Sequence, residues 1–323
     1  MEPIIGLWMY RNCHGDRVQQ RLKDALEREG AQVIHHFDLR DCYCRDGRVF
    51  TVDGVDLSKL DLLYHMNADE QTPYQLNILR ALGNSGVQLV NAFHAFERAS
   101  DKFTTNQLLR RAGLPVPPAL LVDAHTSAAL IREVVGEWGS PAIVKARFSF
   151  GGKGVIRFER VDALLDYIEV TKAHQVDYYI ERFVPFAERD FRVEVIDGAC
   201  VGSYSRGLGH AYKTNVSACT APSEARLLAM PPEPKFETLG QAAAAALGLS
   251  ATIVDFVRSE QDGEPYILEV NCMLGIFLEA AVEALGIVRC DADLHEYASD
   301  TRKLHALASF LLRSAVAHRS RRA

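Results

Sequence analysis

The sequence predicts a mixed α/β protein (α/β with an α+β second half) made of three consecutive units. Three observations carry this expectation. Apolar runs of strand length alternate with stretches of helical apolar spacing over the first ninety residues, the pattern of a parallel sheet flanked by helices. A proline-rich stretch, Leu114-Pro115-Val116-Pro117-Pro118, cannot be helix interior and opens a second unit. Paired apolar runs joined by Asp197-Gly198 and by Gln261-Asp262-Gly263 then read as hairpins of a third. The units are expected at residues 1–93, 94–184 and 185–323.

The elements follow in order. Pro3 to Met9 is a buried strand. Asp16 to Glu29 places Val18, Leu22, Ala25 and Leu26 on one helical face, and Gly30 stops it. Strands are expected at Ala31 to Phe37, Leu60 to Tyr64 and Val87 to Val90, with a helix from Thr72 to Leu82. Gly47, Asp53 and Gly54 bracket a hairpin around Val49 to Val52. Ala99 to Ala112 reads as one helix ended by Gly113. The second unit runs strand (Ala119 to Val122), helix (Ser127 to Trp138), strand (Ala142 to Lys145), glycine-rich turn, strand (Val155 to Phe158), helix (Val161 to Val170) and strand (Asp177 to Glu181). The third has strands at Asp190 to Ile196 and Cys200 to Ser205. An alanine-rich helix from Phe236 to Leu247 precedes strands at Ala251 to Val257 and Pro265 to Val270. His305 to His318 is an amphipathic helix, and Arg319, Arg321 and Arg322 read as its solvated basic end.

Composition excludes several classes. With 48% hydrophobic and 24% charged residues, the 323-residue chain has the balance of a globular protein. No run of eighteen apolar residues marks a membrane span, and Met1-Glu2-Pro3 does not begin a secretory leader. Lys and Arg number 36 against 42 Asp and Glu, a net charge of −6, which argues against a general nucleic-acid binder. Seven scattered cysteines without paired CxxC spacing suggest reduced thiols and a cytoplasmic location.

The chemistry is concentrated in a few strands and turns. Phe148-Ser149-Phe150-Gly151-Gly152-Lys153-Gly154 joins two strands, and its glycines allow a backbone to wrap phosphate. It has neither Walker A nor dinucleotide-fingerprint spacing. Lys145, at the end of the preceding strand, suits the α- and β-phosphates, and Lys102 is a second candidate. Strand alternation puts Glu269 and Asn271 on one face of their strand, with Leu268 and Val270 on the other. Asp255 sits among apolar neighbours one strand earlier. Buried carboxylates are costly unless paired or metal-bound, so Asp255, Glu269 and Asn271 form a hard oxygen site suited to Mg²⁺. Glu181 is placed to accept from an adenine amine, with backbone near Arg182 and Val184 completing the edge. Asp190, Arg192 and Glu194 share a face of the next strand. Arg192, Arg206 and Lys213 make a cationic floor for a γ-phosphate or a carboxylate.

The order of these motifs resembles the ATP-grasp superfamily, and within it the RimK-like amino-acid ligases. The resemblance runs from about Asn91 to Gly275. It rests on Asp101-Lys102, the Leu-Pro-Val-Pro linker, Ile143-Val144-Lys145 with the glycine-rich loop, and Ile180-Glu181-Arg182-Phe183. It continues through Asp190-Phe191-Arg192-Val193, Ser205-Arg206, Thr214-Asn215, Val254-Asp255-Phe256 and Leu268-Glu269-Val270-Asn271. The first ninety residues resemble that superfamily's leading domain more loosely.

The resemblance implies an ATP-grasp fold with ATP between the central and C-terminal units. It implies Lys102 and Lys145 on phosphates, Glu181 on adenine and Asp190 on ribose. Asp255, Glu269 and Asn271 would hold two Mg²⁺ ions, with Mn²⁺ as a substitute. Arg206 and Asn215 would steady the transferred phosphoryl group, and residues Gly151 to Gly154 would act as a lid. The implied activity joins a carboxylate to an amine, from an amino acid, peptide or metabolite, through an acyl phosphate in a homo-oligomer. A ligase of the glutathione-synthetase or D-alanine-ligase kind, and a non-catalytic ATP-binding regulator, remain the alternatives.

Two segments depart from the family pattern: Cys272-Met273-Leu274-Gly275 after the metal asparagine, and Asn215-Val216-Ser217-Ala218-Cys219. Both border the acceptor side in that family. Cys272 reads as a packing residue, and Cys219 as a loop residue near the site. Trp8, Tyr10, Arg11 and Asn12, at the end of the first strand, and Asn67, Asp69 and Glu70, after another, are candidates for shaping the substrate site. His35 and His36 read as surface residues.

Overall fold

The computed structural model describes residues 2–9, 15–66, 72–149, 152–175, 177–207, 226–229, 233–274 and 300–322. The chain begins with β1 (Ile4–Met9), α1 (Gly15–Arg28) and β2 (Gln32–Ile34). A hairpin of β3 (Cys42–Arg45) and β4 (Arg48–Thr51) follows, then β5 (Leu62–Met66), α2 (Pro73–Asn84) and β6 (Gln88–Val90). The order β2-β1-β5-β6 is parallel throughout. The hairpin turns at Asp46-Gly47, both at positive φ (53° and 72°), so it begins earlier than the sequence suggests. Thr72 and Gln75 form a reciprocal capping box at α2, and Pro73 takes the first turn, where no N–H is needed.

The helix expected from Ala99 to Ala112 is two: α3 (Phe93–Ser100) and α4 (Lys102–Arg111). The apolar period runs on, but Asp101 adopts an extended backbone and its carboxylate accepts from Phe103 N, which starts a new helix. The central sheet contains β7 (Ala119–Asp123), β8 (Ala142–Lys145), β9 (Val155–Phe158) and β10 (Asp177–Arg182). Its order is β7-β10-β8-β9, antiparallel throughout. Helices α5 (Ala128–Glu137) and α6 (Val161–Thr171) cover one face, burying Ile131, Leu164 and Ile168 against Val144, Tyr178 and Ile180.

The third sheet has the order β13-β12-β11-β14-β15. Its strands are β11 (Phe186–Ile196), β12 (Ala199–Gly207), β13 (Arg226–Ala229), β14 (Ala251–Ser259) and β15 (Pro265–Val270). Asp197-Gly198 turns between β11 and β12 with both residues at positive φ, as Asp-Gly predicts. Helix α7 (Pro234–Leu247) covers the face carrying Val193, Val195, Val254 and Phe256.

The last described helix, α8 (Asp300–Arg322), is longer than the sequence suggests. Leu304, Leu307 and Leu311 pack among Ile5, Leu7 and Leu22 of the first unit and Ile253 of the third sheet. Each leucine so buried contributes about 1.5–3 kcal/mol. The basic end is not simply solvated: Arg319 Nη1 donates to the Glu2 carbonyl at 2.6 Å and lies 3.5 Å from Asp61 Oδ2.

Asn91 completes the junction. Its Nδ2 donates to Ala251 O (2.8 Å) and Cys272 O (2.9 Å), and its Oδ1 accepts from Ser250 N (2.8 Å) and Ala251 N (2.9 Å). Among the described residues no helix is long and apolar enough to cross a membrane.

Candidate active site

An open cleft of about 660 Å³ lies between the central and third sheets. Lys145 and Glu181 enter it from β8 and β10, and Lys102 from the first turn of α4. Glu269 and Leu268 enter from β15, and Gly152, Arg182 and Val184 complete the charged and hinge walls. Ile143, Val155, Phe183 and Phe186 make it apolar at one end, where Val184, Phe183 and Phe186 pack on Val257. The cleft is thus apolar where a flat ring would insert and cationic where an anion would lie.

A β-bulge sets one wall. β14 and β15 pair Asp255 with Glu269, but the next pair is Phe256 with Ile267. Leu268 is the extra residue, and it lines the cleft beside Glu269 instead of pointing away as strict alternation predicts. Val270 does turn to the α7 side, and Cys272 is buried there too, as a packing residue should be.

Below the cleft the charged face of β11 is closed off from water. Asp190 is wholly buried, with Arg206 Nη2 at 2.5 Å and Arg192 Nε at 3.8 Å. Arg192 Nη2 donates to Asp255 Oδ2 at 2.6 Å, and Asn271 Nδ2 to Asp255 Oδ1 at 3.2 Å. Glu194 continues the row, paired with Lys303 of α8. Burial pushes the Asp255 carboxyl up to about 7; Arg192 opposes this, and the charges of Glu269 and Asp190 add to it.

Asp255 faces Arg192 and Glu269 faces Lys102 Nζ at 3.6 Å, and the two carboxylates on neighbouring strands leave room for a divalent cation to add to this neutralisation. The donors are hard oxygens, which fits Mg²⁺. Among the described residues no group of three or more His, Cys, Asp or Glu forms a complete metal site. The remaining oxygen ligands of such an ion would come from phosphate and water.

The comparisons with known proteins bear on this geometry. Residues 99–288 match the RimK-like ATP-grasp domain. The chain belongs to that family.

A probable alpha-L-glutamate ligase from Shewanella halifaxensis is 27% identical over 274 residues, covering 83% of this chain and 57% of that one. The chain thus spans little more than half the length of that relative. Among solved structures, D-cycloserine synthetase DcsG superposes with a TM-score of 0.68 at 18% identity, covering 95% of this chain and 99% of that one. The ATP-grasp ligase PsnB, in complex with minimal precursor, Mg and ADP, gives 0.65 at 18% identity, with 97% of each chain covered. These likenesses establish the ATP-grasp fold.

Within the RimK-like frame, the structure gathers Lys102, Lys145, Gly152, Glu181, Arg182, Val184 and Glu269 around the cleft. Asp255, Asn271, Asp190, Arg192 and Arg206 form the connected floor. Two of these acids have partners that the sequence does not reveal. The Glu181 carboxylate, in the cleft lining, is engaged by Lys145 Nζ at 2.5 Å and by Tyr179 OH at 2.5 Å. Asp190 is paired with Arg206 and Arg192 beneath the cleft.

The Lys153 side chain is exposed and outside the cleft lining, as is Gly154. Gly154 has φ of 70°, and a Cβ there would come within 2.9 Å of Ala146 Cβ, so glycine is needed for the turn itself. Gly151, Lys213, Asn215, Cys219, Tyr10, Arg11, Asn12, Asn67, Asp69 and Glu70 lie outside the described residues. Trp8 is 1% exposed and packs under the first sheet, so it takes no part in a ligand surface. The sequence does not mark Ile143, Val155, Phe183 and Phe186 as cleft walls, because nothing in an apolar strand residue distinguishes a cleft wall from a core.

Proposed function

We propose that this protein is an ATP-dependent carbon–nitrogen ligase that joins a carboxylate to an amine through an acyl phosphate, releasing ADP and phosphate. One observation supports this reading: a single cleft has Lys102 and Lys145 on opposite walls and Glu269, paired with Asp255 of the neighbouring strand, in its lining. Adenine fits the apolar end over Val184; Arg182 N and Phe183 N donate to Pro118 O and Pro141 O, so the main chain at Val184 supplies the hydrogen-bonding edge. Lys145, held by Glu181, and Lys102, from α4, neutralise the polyphosphate. Asp255, Glu269 and Asn271 would hold Mg²⁺, two ions in the full reading and Mn²⁺ in their place. Bound there, the metal would supply positive charge to the phosphoryl oxygens.

A substrate carboxylate oxygen attacks the γ-phosphorus as the bond to the β–γ bridging oxygen breaks, and ADP leaves. Arg206 and Arg192 are the cations nearest the floor. Buried against Asp255 and Asp190 and outside the cleft lining, they would act through their positive potential, on the charge of the transferred group and then on the tetrahedral oxyanion formed when the amine attacks the acyl carbon. The C–O bond to phosphate breaks, and phosphate carries off the proton the amine gives up. No side-chain nucleophile is required.

The test is ADP release with Mg²⁺, screening amino acids pairwise with candidate carboxylates and reading products by mass. Glutamate is the first amino acid to try, because relatives bear the name alpha-L-glutamate ligase. ADP that depends on both partners, with a product lighter than their sum by one water, establishes ligation. Tight ATP binding without ADP from any pair would favour a regulatory protein.

A further inference from the structure

The first turn of α4 and the segment leading into the glycine-rich loop are tied at three points. Arg147 N–H groups clasp the Asp101 carboxylate in a fork, Nε to Oδ1 at 3.0 Å and Nη2 to Oδ2 at 2.7 Å. Lys102 N donates to Arg147 O at 3.2 Å, and Lys102 Nζ donates to Ser149 O. The same guanidinium reaches Asp177 at the start of β10 and stands over the rings of Phe103 and Phe148, 5.8 and 5.2 Å from their centroids. A forked ion pair fixes orientation as well as distance.

This clasp joins two bodies. Helix α4 packs on α7 and β15, with Leu109 in their shared core, so its main support lies on the third-sheet side of the cleft, although it also touches β7 and, through Phe103, Tyr179 of β10. Arg147 follows β8 of the central sheet by two residues and is tied to β10, the strand beside β8. Lys145 and Lys102 therefore face one cleft from two bodies, and the Arg147–Asp101 pair spans them a few residues from both lysines. Asp101 also caps α4 through Phe103 N (3.1 Å) and Thr104 Oγ1 (2.7 Å). Burial presses its carboxyl toward the neutral form, but Arg147 and then Thr104 outweigh that and hold its pKa below the ordinary value.

We propose that Arg147 is a positioning residue whose ion pair with Asp101 sets the relative placement of Lys145 and Lys102, and with it the affinity for a nucleoside triphosphate. The inference rests on the reading of this cleft as a nucleotide site. It adds a residue that touches neither nucleotide nor metal.

The experiment measures calorimetric Kd for AMPPNP with Mg²⁺, and the Tm of the protein without nucleotide, for wild type, Arg147→Gln, Asp101→Asn and the double variant. Asparagine caps a helix as well as aspartate does, so Asp101→Asn removes the ion pair and keeps the fold. Each single variant should raise Kd about tenfold, and the double variant no further, because both break one interaction. Arg147→Lys keeps the charge without the fork and should recover only part of the loss. The Tm of Asp101→Asn should stay close to that of wild type. An unchanged Kd in Asp101→Asn, or losses that multiply in the double variant, would overturn the proposal. A lowered Tm with unchanged Kd would make the clasp merely structural. A wild type that binds no AMPPNP would instead refute the nucleotide reading beneath it.

Discussion

His65 is fully buried beside the Asn91 junction, and its Nε2 lies 2.8 Å from the Asn91 carbonyl oxygen. That oxygen can only accept, so Nε2 carries the proton. Burial lowers the pKa of His65 to about 4, although the Asn91 contact works the other way. The folded pKa lies below the unfolded value of about 6.5, so folding favours the neutral ring. Its contribution to stability is full above about pH 6.5 and is lost as pH falls toward 4, with a span on the order of 3 kcal/mol. Urea unfolding of wild type and His65→Gln between pH 7.5 and 4.5 checks this: the variant, which can still donate to Asn91, should lose less stability on acidification. At the cleft, Glu269→Gln removes a charge from the carboxylate pair. ADP production should fall by about 100-fold or more while the circular dichroism spectrum stays unchanged. The chemistry of Glu269 could be read from the sequence because an acid in an apolar strand needs a reason. The role of Asn91 could not, since Ala251 and Cys272 lie more than 150 residues away in the chain.

Elements tell a similar story. Glycine and proline mark most boundaries, and the strands and helices of the first two units fall close to where periodicity places them. Two features escape that reading for identifiable reasons. The α3–α4 break depends on one side chain, Asp101, bonding Phe103 N in place of letting the helix run through. The bulge at Leu268 adds a residue to β15 that no alternation pattern can reveal. Packing at α7 is tight enough to test. A Cβ at Gly240 would lie 2.9 Å from Val193 Cγ1 and 3.2 Å from Val193 Cβ. Gly240→Ala improves helix propensity, but the overpacking should cost about 1–3 kcal/mol, so the variant should melt at a lower temperature. A higher Tm would mean that α7 can lift from β11 without penalty.

At the scale of the whole molecule, the order of motifs made the ATP-grasp arrangement readable, because each motif sits at the edge of a strand that the fold brings to one cleft. What order could not reveal is that α8 runs back to the first sheet. Its apolar face matches a core assembled from both ends of the chain, and amphipathicity alone does not say which surface a helix will cover. A nucleotide held across the cleft binds only the folded protein, so it should stabilise that state by mass action. At one hundred times its Kd, AMPPNP with Mg²⁺ should add about 2.7 kcal/mol, visible as a rise in Tm that EDTA largely abolishes. A rise insensitive to EDTA would mean that Asp255 and Glu269 do not hold the metal.

The return of α8 also bears on how the chain is made. The last strands of the first sheet are synthesised long before Leu304, Leu307 and Leu311, the side chains that cover one of its faces. With over two hundred residues between them, and elongation at about 5–20 residues per second, that face waits roughly ten to forty seconds with Val18, Leu22 and Leu26 of α1 on it but without α8. The first unit, although the first to emerge, therefore completes its core only when the last helix arrives.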